Sequence, residues 1–139
     1  MTKRDTAEIL VANEAFYRAF AERDARAMDE LWARASPVAC IHPGWAPLFG
    51  RARVMAAWRS LLENPRSPTV HCLEPTAHVL ADTAYVICYE TLAEARLVAT
   101  NVFVREGGSW RLVHHQAGPV AAEITSEDED EPPGPETLN

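Results

Sequence analysis

Apolar residues recur along this chain with two different periods, and the change falls near Thr69. Upstream the period is helical. Ile9, Phe16 and Phe20, with Leu10 and Tyr17 beside them, predict a first helix over Thr6–Arg23, capped by Asp5 or Thr6. Asp24 reads as the cap of a second helix, Ala25–Ala33, with Met28, Leu31 and Trp32 inward and Arg26, Asp29 and Glu30 toward water. Val38–Ile41 is a short strand, and Leu48–Phe49 a stub of another. Between them lies His42-Pro43-Gly44-Trp45-Ala46-Pro47, stiffened by two prolines. Gly50 admits a third helix, Arg51–Glu63. Val54, Trp58, Leu61 and Leu62 are its buried stripe, and Arg51, Arg53, Arg59 and Glu63 lie mostly outside. Asn64-Pro65-Arg66-Ser67-Pro68 ends it.

Downstream the period is two. Val70–Leu80 is a strand interrupted at Pro75, a position that must be a bulge or an edge. Asp82-Thr83 turns into Ala84–Leu92. A long hairpin then fills Ala95–Gly118, joined at Gly107-Gly108, and completes a meander of four antiparallel strands. Strand side chains alternate between faces, and both faces of this hairpin carry apolar residues. Each face therefore needs a cover: the three helices on one side, a second subunit on the other. The order of elements is α+β. The expected architecture is a cone-shaped, curved antiparallel sheet with the three helices of the N-terminal half on its concave face and a cavity at the open end. Such a mouth is the natural small-molecule site.

Charge divides the chain in two. The formal net charge of the 139 residues is −7. Glu123, Glu127, Asp128, Glu129, Asp130, Glu131 and Glu136 account for all of it, so residues 1–120 are neutral overall. The neutral body has no basic footprint for nucleic acid. Residues 121–139 read as an acidic, proline-rich tail, and Ser126–Asn139 as disordered, because so few apolar groups cannot offset the ordering entropy. The start of the chain has no apolar signal region, and no run reaches the length of a membrane span. Cys40, Cys72 and Cys88 are odd in number and lack metal-ligand spacing, so a reduced cytoplasmic protein with no metal and no cofactor is expected. Lys3 is the single lysine, which leaves the body no Schiff-base residue.

Polar residues among the apolar strand and helix positions are the candidates for chemistry. His42 ends a strand and is held by Pro43. It is either a rim histidine suited to proton transfer, or a loop residue or helix cap. Asn13 lies on the apolar stripe of the first helix, and either bonds a neighbouring loop or, like Tyr17, presents a polar tip to the cavity. His114 and His115 must point to opposite faces. With Arg111 turned away from the core, Trp110, Leu112, His114 and Gln116 face the helices, and His115 faces solvent or a partner subunit. Asn101 and Trp45 join the candidate lining. Glu74 and Glu90 are the body carboxylates that strand burial could enclose; Glu90 is expected to pair with an arginine such as Arg96 across the hairpin. His71 and His78 read as surface or interface residues. No nucleophile elbow or phosphate-cradling loop is present.

The segments ANEAFYRAFAERDARAMDELWA, CIHPGWAPLFGR, VMAAWRSLL and ATNVFVREGGSWRLVHHQAGP resemble a SnoaL-like protein of the superfamily that holds nuclear transport factor two, ketosteroid isomerase and the association domain of calmodulin-dependent kinase. The resemblance covers roughly residues 7–119. It implies a cone-shaped α+β barrel and a homodimer built sheet against sheet. By position, it matches Tyr17 to the tyrosine on the first helix of ketosteroid isomerases and His42 to their base. The third position falls near Thr100 or Asn101, where no carboxylic acid stands. Two functions follow as expectations. One is a cofactor-independent isomerase, cyclase or dehydratase acting on a small, mostly apolar carbonyl compound. His42, Tyr17 and Asn101 would be catalytic there, and Asn13, Trp45, His114 and Gln116 would bind substrate. The other is a ligand-binding or dimerisation module of the same fold without turnover.

Overall fold

The computed structural model describes residues 2–121. The expected acidic, disordered tail lies outside the described residues, apart from Ala121. Helix α1 runs Lys3–Ala21, α2 Ala25–Leu31 and α3 Arg51–Glu63. Strands β1 (Ala39–Ile41) and β2 (Leu48–Phe49) precede α3; β3 (His71–Leu80), β4 (Thr83–Thr91), β5 (Arg96–Glu106) and β6 (Ser109–Pro119) follow it.

Helix α1 starts three residues earlier than its apolar stripe predicts. Thr2 Oγ1 accepts the Asp5 backbone N–H at 3.1 Å while the Asp5 carboxylate accepts the Thr2 N–H at 3.3 Å, a reciprocal cap that extends the helix to Lys3. The Asp24 side chain caps α2 as expected, accepting the Ala27 N–H at 3.0 Å. That helix stops before Trp32, which leaves it to bridge Leu112 on β6 and is wholly buried. Arg51 is not mostly outside. Its guanidinium donates to the carbonyls of Asp29, Trp32 and Ala33 and ties α3 to the end of α2.

The six strands form one curved mixed sheet in the order β2-β1-β6-β5-β4-β3. β1 lies parallel to β6, and every other pair is antiparallel. The four-strand meander is therefore extended by the two short strands. The three helices cover one face, where Ile9, Phe16, Met28, Trp32, Val54 and Trp58 pack on Val86, Phe103 and Leu112. The hairpin turn has Gly107 at φ 59° and Gly108 at φ 82°; two consecutive left-handed residues are what a tight primed turn requires.

Two bulges shape the sheet. On β3, Leu73 pairs with Tyr89 and Thr76 with Ile87, so Glu74 and Pro75 together oppose Cys88. β3 is also an edge strand, so Pro75 sits at both of the places a proline can occupy. Glu74 takes φ 53° there and is exposed, not buried. On β6, Phe103 pairs with Leu112 and Val102 with His114, leaving Val113 as the extra residue. This bulge reverses the phase of the strand. Trp110 and Leu112 face the helices as expected, but beyond the bulge His115 and Ala117 do so instead of His114 and Gln116. His115 is 1% exposed. Gln116 is exposed on the opposite face, and His114 lies there half-buried, its Nδ1 3.0 Å from the Ala39 carbonyl.

Candidate functional site

Two hollows adjoin the core. One is a cavity of about 280 Å³ at the open end of the sheet. Phe20, Trp45, Leu61, Val70, Leu92 and Leu97 make its apolar walls, and His42, Glu90 and His115 bring titratable groups into it. The other, about 450 Å³, is a groove between α1 and β3 lined by Asn13, Tyr17 and Cys72 among others.

His42 is placed by a turn that its own sequence encodes. The Trp45 N–H donates to the His42 carbonyl at 2.9 Å, with Pro43 and a left-handed Gly44 (φ 79°) between them. Proline and glycine are the residues such a turn selects at these two positions. The imidazole is 4% exposed. It sits edge-on to Trp45 and Trp58, with ring centroids at 5.0 and 4.8 Å, and its centroid is 6.3 Å from that of His115. Its Nε2 is 3.6 Å from Cys40 Sγ. Burial among these rings, which disfavours the charged form, lowers the His42 pKa to about 4. At neutral pH the ring is an uncharged proton acceptor.

A buried chain of polar side chains faces His42 from the sheet and α1. His115 Nδ1 is 2.5 Å from Asn101 Oδ1. Asn101 Nδ2 donates to Asn13 Oδ1 at 2.9 Å and to the Tyr17 hydroxyl at 3.1 Å. With that amide nitrogen spent, Asn101 Oδ1 is the acceptor, and His115 carries its proton on Nδ1. Its Nε2 is left as an acceptor, 3.8 Å from Glu90 Oε2. Burial, with the His42 and His114 rings adding, pushes the His115 pKa down to about 3, so this ring too is neutral. Tyr17 donates its hydroxyl proton to Glu90 Oε2 at 2.6 Å. Burial raises the Glu90 pKa and the Tyr17 bond opposes this. Burial, reinforced by Glu90, holds the phenol far above its usual range.

The sequence candidates thus separate. His42 and Trp45 line the cavity. Tyr17, Asn101 and Asn13 stand behind its wall and hold the Glu90 carboxyl and the His115 ring. His114 and Gln116 are on the outer face. Glu90 does not pair with Arg96, whose guanidinium lies over the Tyr89 ring at 4.4 Å. Glu90 and His115 are the two lining groups that sequence reading missed. For Glu90 a signal exists: it is the one carboxylate in the inward series Ala84, Val86, Cys88, Glu90. For His115 the bulge hid it. No group of three or more His, Cys, Asp or Glu among the described residues is arranged to hold a metal ion.

The SnoaL-like domain family matches residues 9–122. This chain belongs to that family. The SnoaL-like chain is similar to a candidate dehydratase of the NTF2-like family from Streptomyces avermitilis, at 33% identity and TM-score 0.78, over 86% of this chain and 98% of that one. A candidate calcium/calmodulin-dependent protein kinase type II association domain from Thiobacillus denitrificans is 37% identical with TM-score 0.70, over 80% and 94% of the two chains. A candidate ketosteroid isomerase from Parabacteroides distasonis, 16% identical with TM-score 0.64 over 81% and 86%, shares the fold. Among curated proteins, F-box protein SKIP8 of Arabidopsis thaliana is 26% identical over 114 residues, which is 81% of this chain and 49% of that protein. The SnoaL-like chain spans about half the length of this curated relative. No helix among the described residues is long and apolar enough to cross a membrane.

Proposed function

We propose that this SnoaL-like protein binds a small, uncharged, mostly apolar carbonyl compound in the cavity at the mouth of the cone and moves a proton on it, as an isomerase, cyclase or dehydratase does, without a cofactor. One observation carries the reading: three buried titratable side chains, His42, Glu90 and His115, open into a single cavity whose other walls are almost entirely apolar. His42, uncharged at neutral pH, accepts the proton from the carbon next to the carbonyl. Burial raises the Glu90 pKa, and in its protonated form Glu90 donates a hydrogen bond to the carbonyl oxygen as charge develops on it. Tyr17, Asn101 and Asn13 position Glu90 and His115. A carbonyl compound without net charge suits these walls, because Lys and Arg are absent from the lining. The likeness to a candidate dehydratase over nearly its whole length supports the same class of chemistry.

The test is exchange of α-protons for solvent deuterium in a panel of small enolisable ketones, followed by NMR. His42→Gln and Glu90→Gln, each confirmed folded by circular dichroism, should lower the exchange rate by about 10²–10⁴-fold. Equal rates in the two variants and the unaltered protein would sink the proposal.

The proposal includes a homodimer joined through the outer sheet face, where Leu73, Ile87 and Val98 are exposed at 41%, 40% and 40% and Tyr85, Tyr89 and Val102 flank them. The protein is proposed to work in the cytoplasm, a reading supported by three free cysteines.

A further inference from the structure

We propose that Cys72 and Cys88 are an oxidant-reactive thiol pair, in which Cys72, at the wall of the groove between α1 and β3, attacks a peroxide and Cys88 behind it closes the disulfide. The proton-transfer reading makes no use of either thiol, so this inference stands apart from it. Cys72 pairs across the strands with Glu90. Cys88 is two residues from Glu90 on β4, and strand residues two apart share a face, so both thiols point toward α1. There, residues one helical turn apart take one thiol each. Asn13 Nδ2 donates to Cys72 Sγ at 3.6 Å, and the Tyr17 hydroxyl lies 3.2 Å from Cys88 Sγ. The β3 bulge sets Glu74 and Pro75 opposite Cys88.

Their environments divide the roles. Cys72 is half-buried and lines the groove; Cys88 is 2% exposed. The neighbouring Cys88 side chain, against the opposing effect of burial and helped by Asn13, holds the Cys72 pKa below the usual thiol range. The neighbouring Cys72 sulfur and burial push Cys88 up. The accessible sulfur is therefore the better nucleophile, and the enclosed one stays a thiol until a partner reaches it. In the first step the Cys72 thiolate attacks one oxygen of hydrogen peroxide. The O–O bond breaks, hydroxide leaves and takes a proton to become water, and Cys72 becomes a sulfenic acid. In the second, Cys88 sulfur attacks Cys72 sulfur, the S–O bond breaks, and the Cys88 proton leaves with the hydroxide as a second water. Two thiols are oxidised, and one peroxide is reduced to two waters. The bond draws Cys88 away from Tyr17 and Cys72 away from Asn13, and so loosens the two residues that hold Glu90 and Asn101.

The test uses the full chain, treated with hydrogen peroxide and then digested without reductant for mass mapping. The expected product is one intramolecular Cys72–Cys88 disulfide, with Cys40 left as a thiol, since burial pushes Cys40 up to about 12. A thiol reductant reverses it. In Cys88→Ser, dimedone should trap Cys72 as sulfenic acid about tenfold faster than Cys40. In Cys72→Ser, Cys88 should stay reduced. The proposal is overturned if Cys72 reacts no faster than Cys40. It is equally overturned if Cys72 sulfenic acid accumulates in the unaltered chain without closing on Cys88, or if Cys72 links only between chains.

Discussion

Glu90 is where the buried polar chain converges: Tyr17 bonds its carboxyl, His115 stands beside it, and the cavity opens in front of it. Three ionisable groups enclosed together make stability depend on pH, and the signs differ. His42 and His115 have folded pKa values near 4 and 3, below the unfolded value of 6.5. In acid the unfolded chain binds protons that the fold refuses. Their contribution is therefore complete above about pH 6.5 and is lost as pH falls through that value toward 4 and then 3, by on the order of a few kcal/mol per ring. Glu90 works in the other sense. Its folded pKa is raised, so its contribution is complete below its unfolded value and is lost as pH rises through the folded one. The two histidines dominate between pH 7 and 4. Urea midpoints measured across that range should fall steadily with acid, and His115→Asn, matched for polarity without a titrating ring, should flatten the fall. A midpoint independent of pH in the unaltered protein would contradict the buried, neutral state of both rings.

At the scale of elements, the cap of α2 and the turns were legible because their signals are local, whereas the cap of α1 is Thr2 and not Asp5 or Thr6. Asp24 caps α2, Gly50 admits α3 over the residues its stripe predicts, and Gly107-Gly108 forms the hairpin turn. Pro43-Gly44 aims His42 by the same kind of rule. What alternation misreads is the strand with an extra residue. Val113 carries no mark of being a bulge, yet it decides which of two adjacent histidines enters the core. Arg51 is a second case. Its place in the helical pattern assigns it to water, and only the end of α2, folded back beside α3, presents the three carbonyls it binds. Arg51→Met should leave those acceptors short of donors and lower stability by about 1–3 kcal/mol in urea unfolding. Arg53→Met, exposed on the same helix, should change it by less than about 0.5 kcal/mol.

For the whole molecule, the one-sided placement of the helices leaves an apolar face on β3, β4 and β5. Exposed apolar surface of this extent on a sheet fits an interface better than open water. Val98→Arg, on that face and 40% exposed, should shift the sedimentation of the full chain from dimer to monomer. A protein that sediments as a monomer before any substitution would remove the proposed interface.

The periods of the apolar residues determined the number, order and kind of the elements, and with them an α+β cone, because burial is periodic and periodicity is written along the chain. The tip of β1 with His42 was determined in the same way, by a proline and a glycine acting on their immediate neighbours. The membership of the polar chain was decided by the tertiary structure alone. Tyr17, Glu90, Asn101 and His115 come from α1, β4, β5 and β6, and whether they meet depends on strand register and on one unpaired residue. Register is set by the sum of many weak cross-strand contacts, and no short stretch of sequence contains that sum.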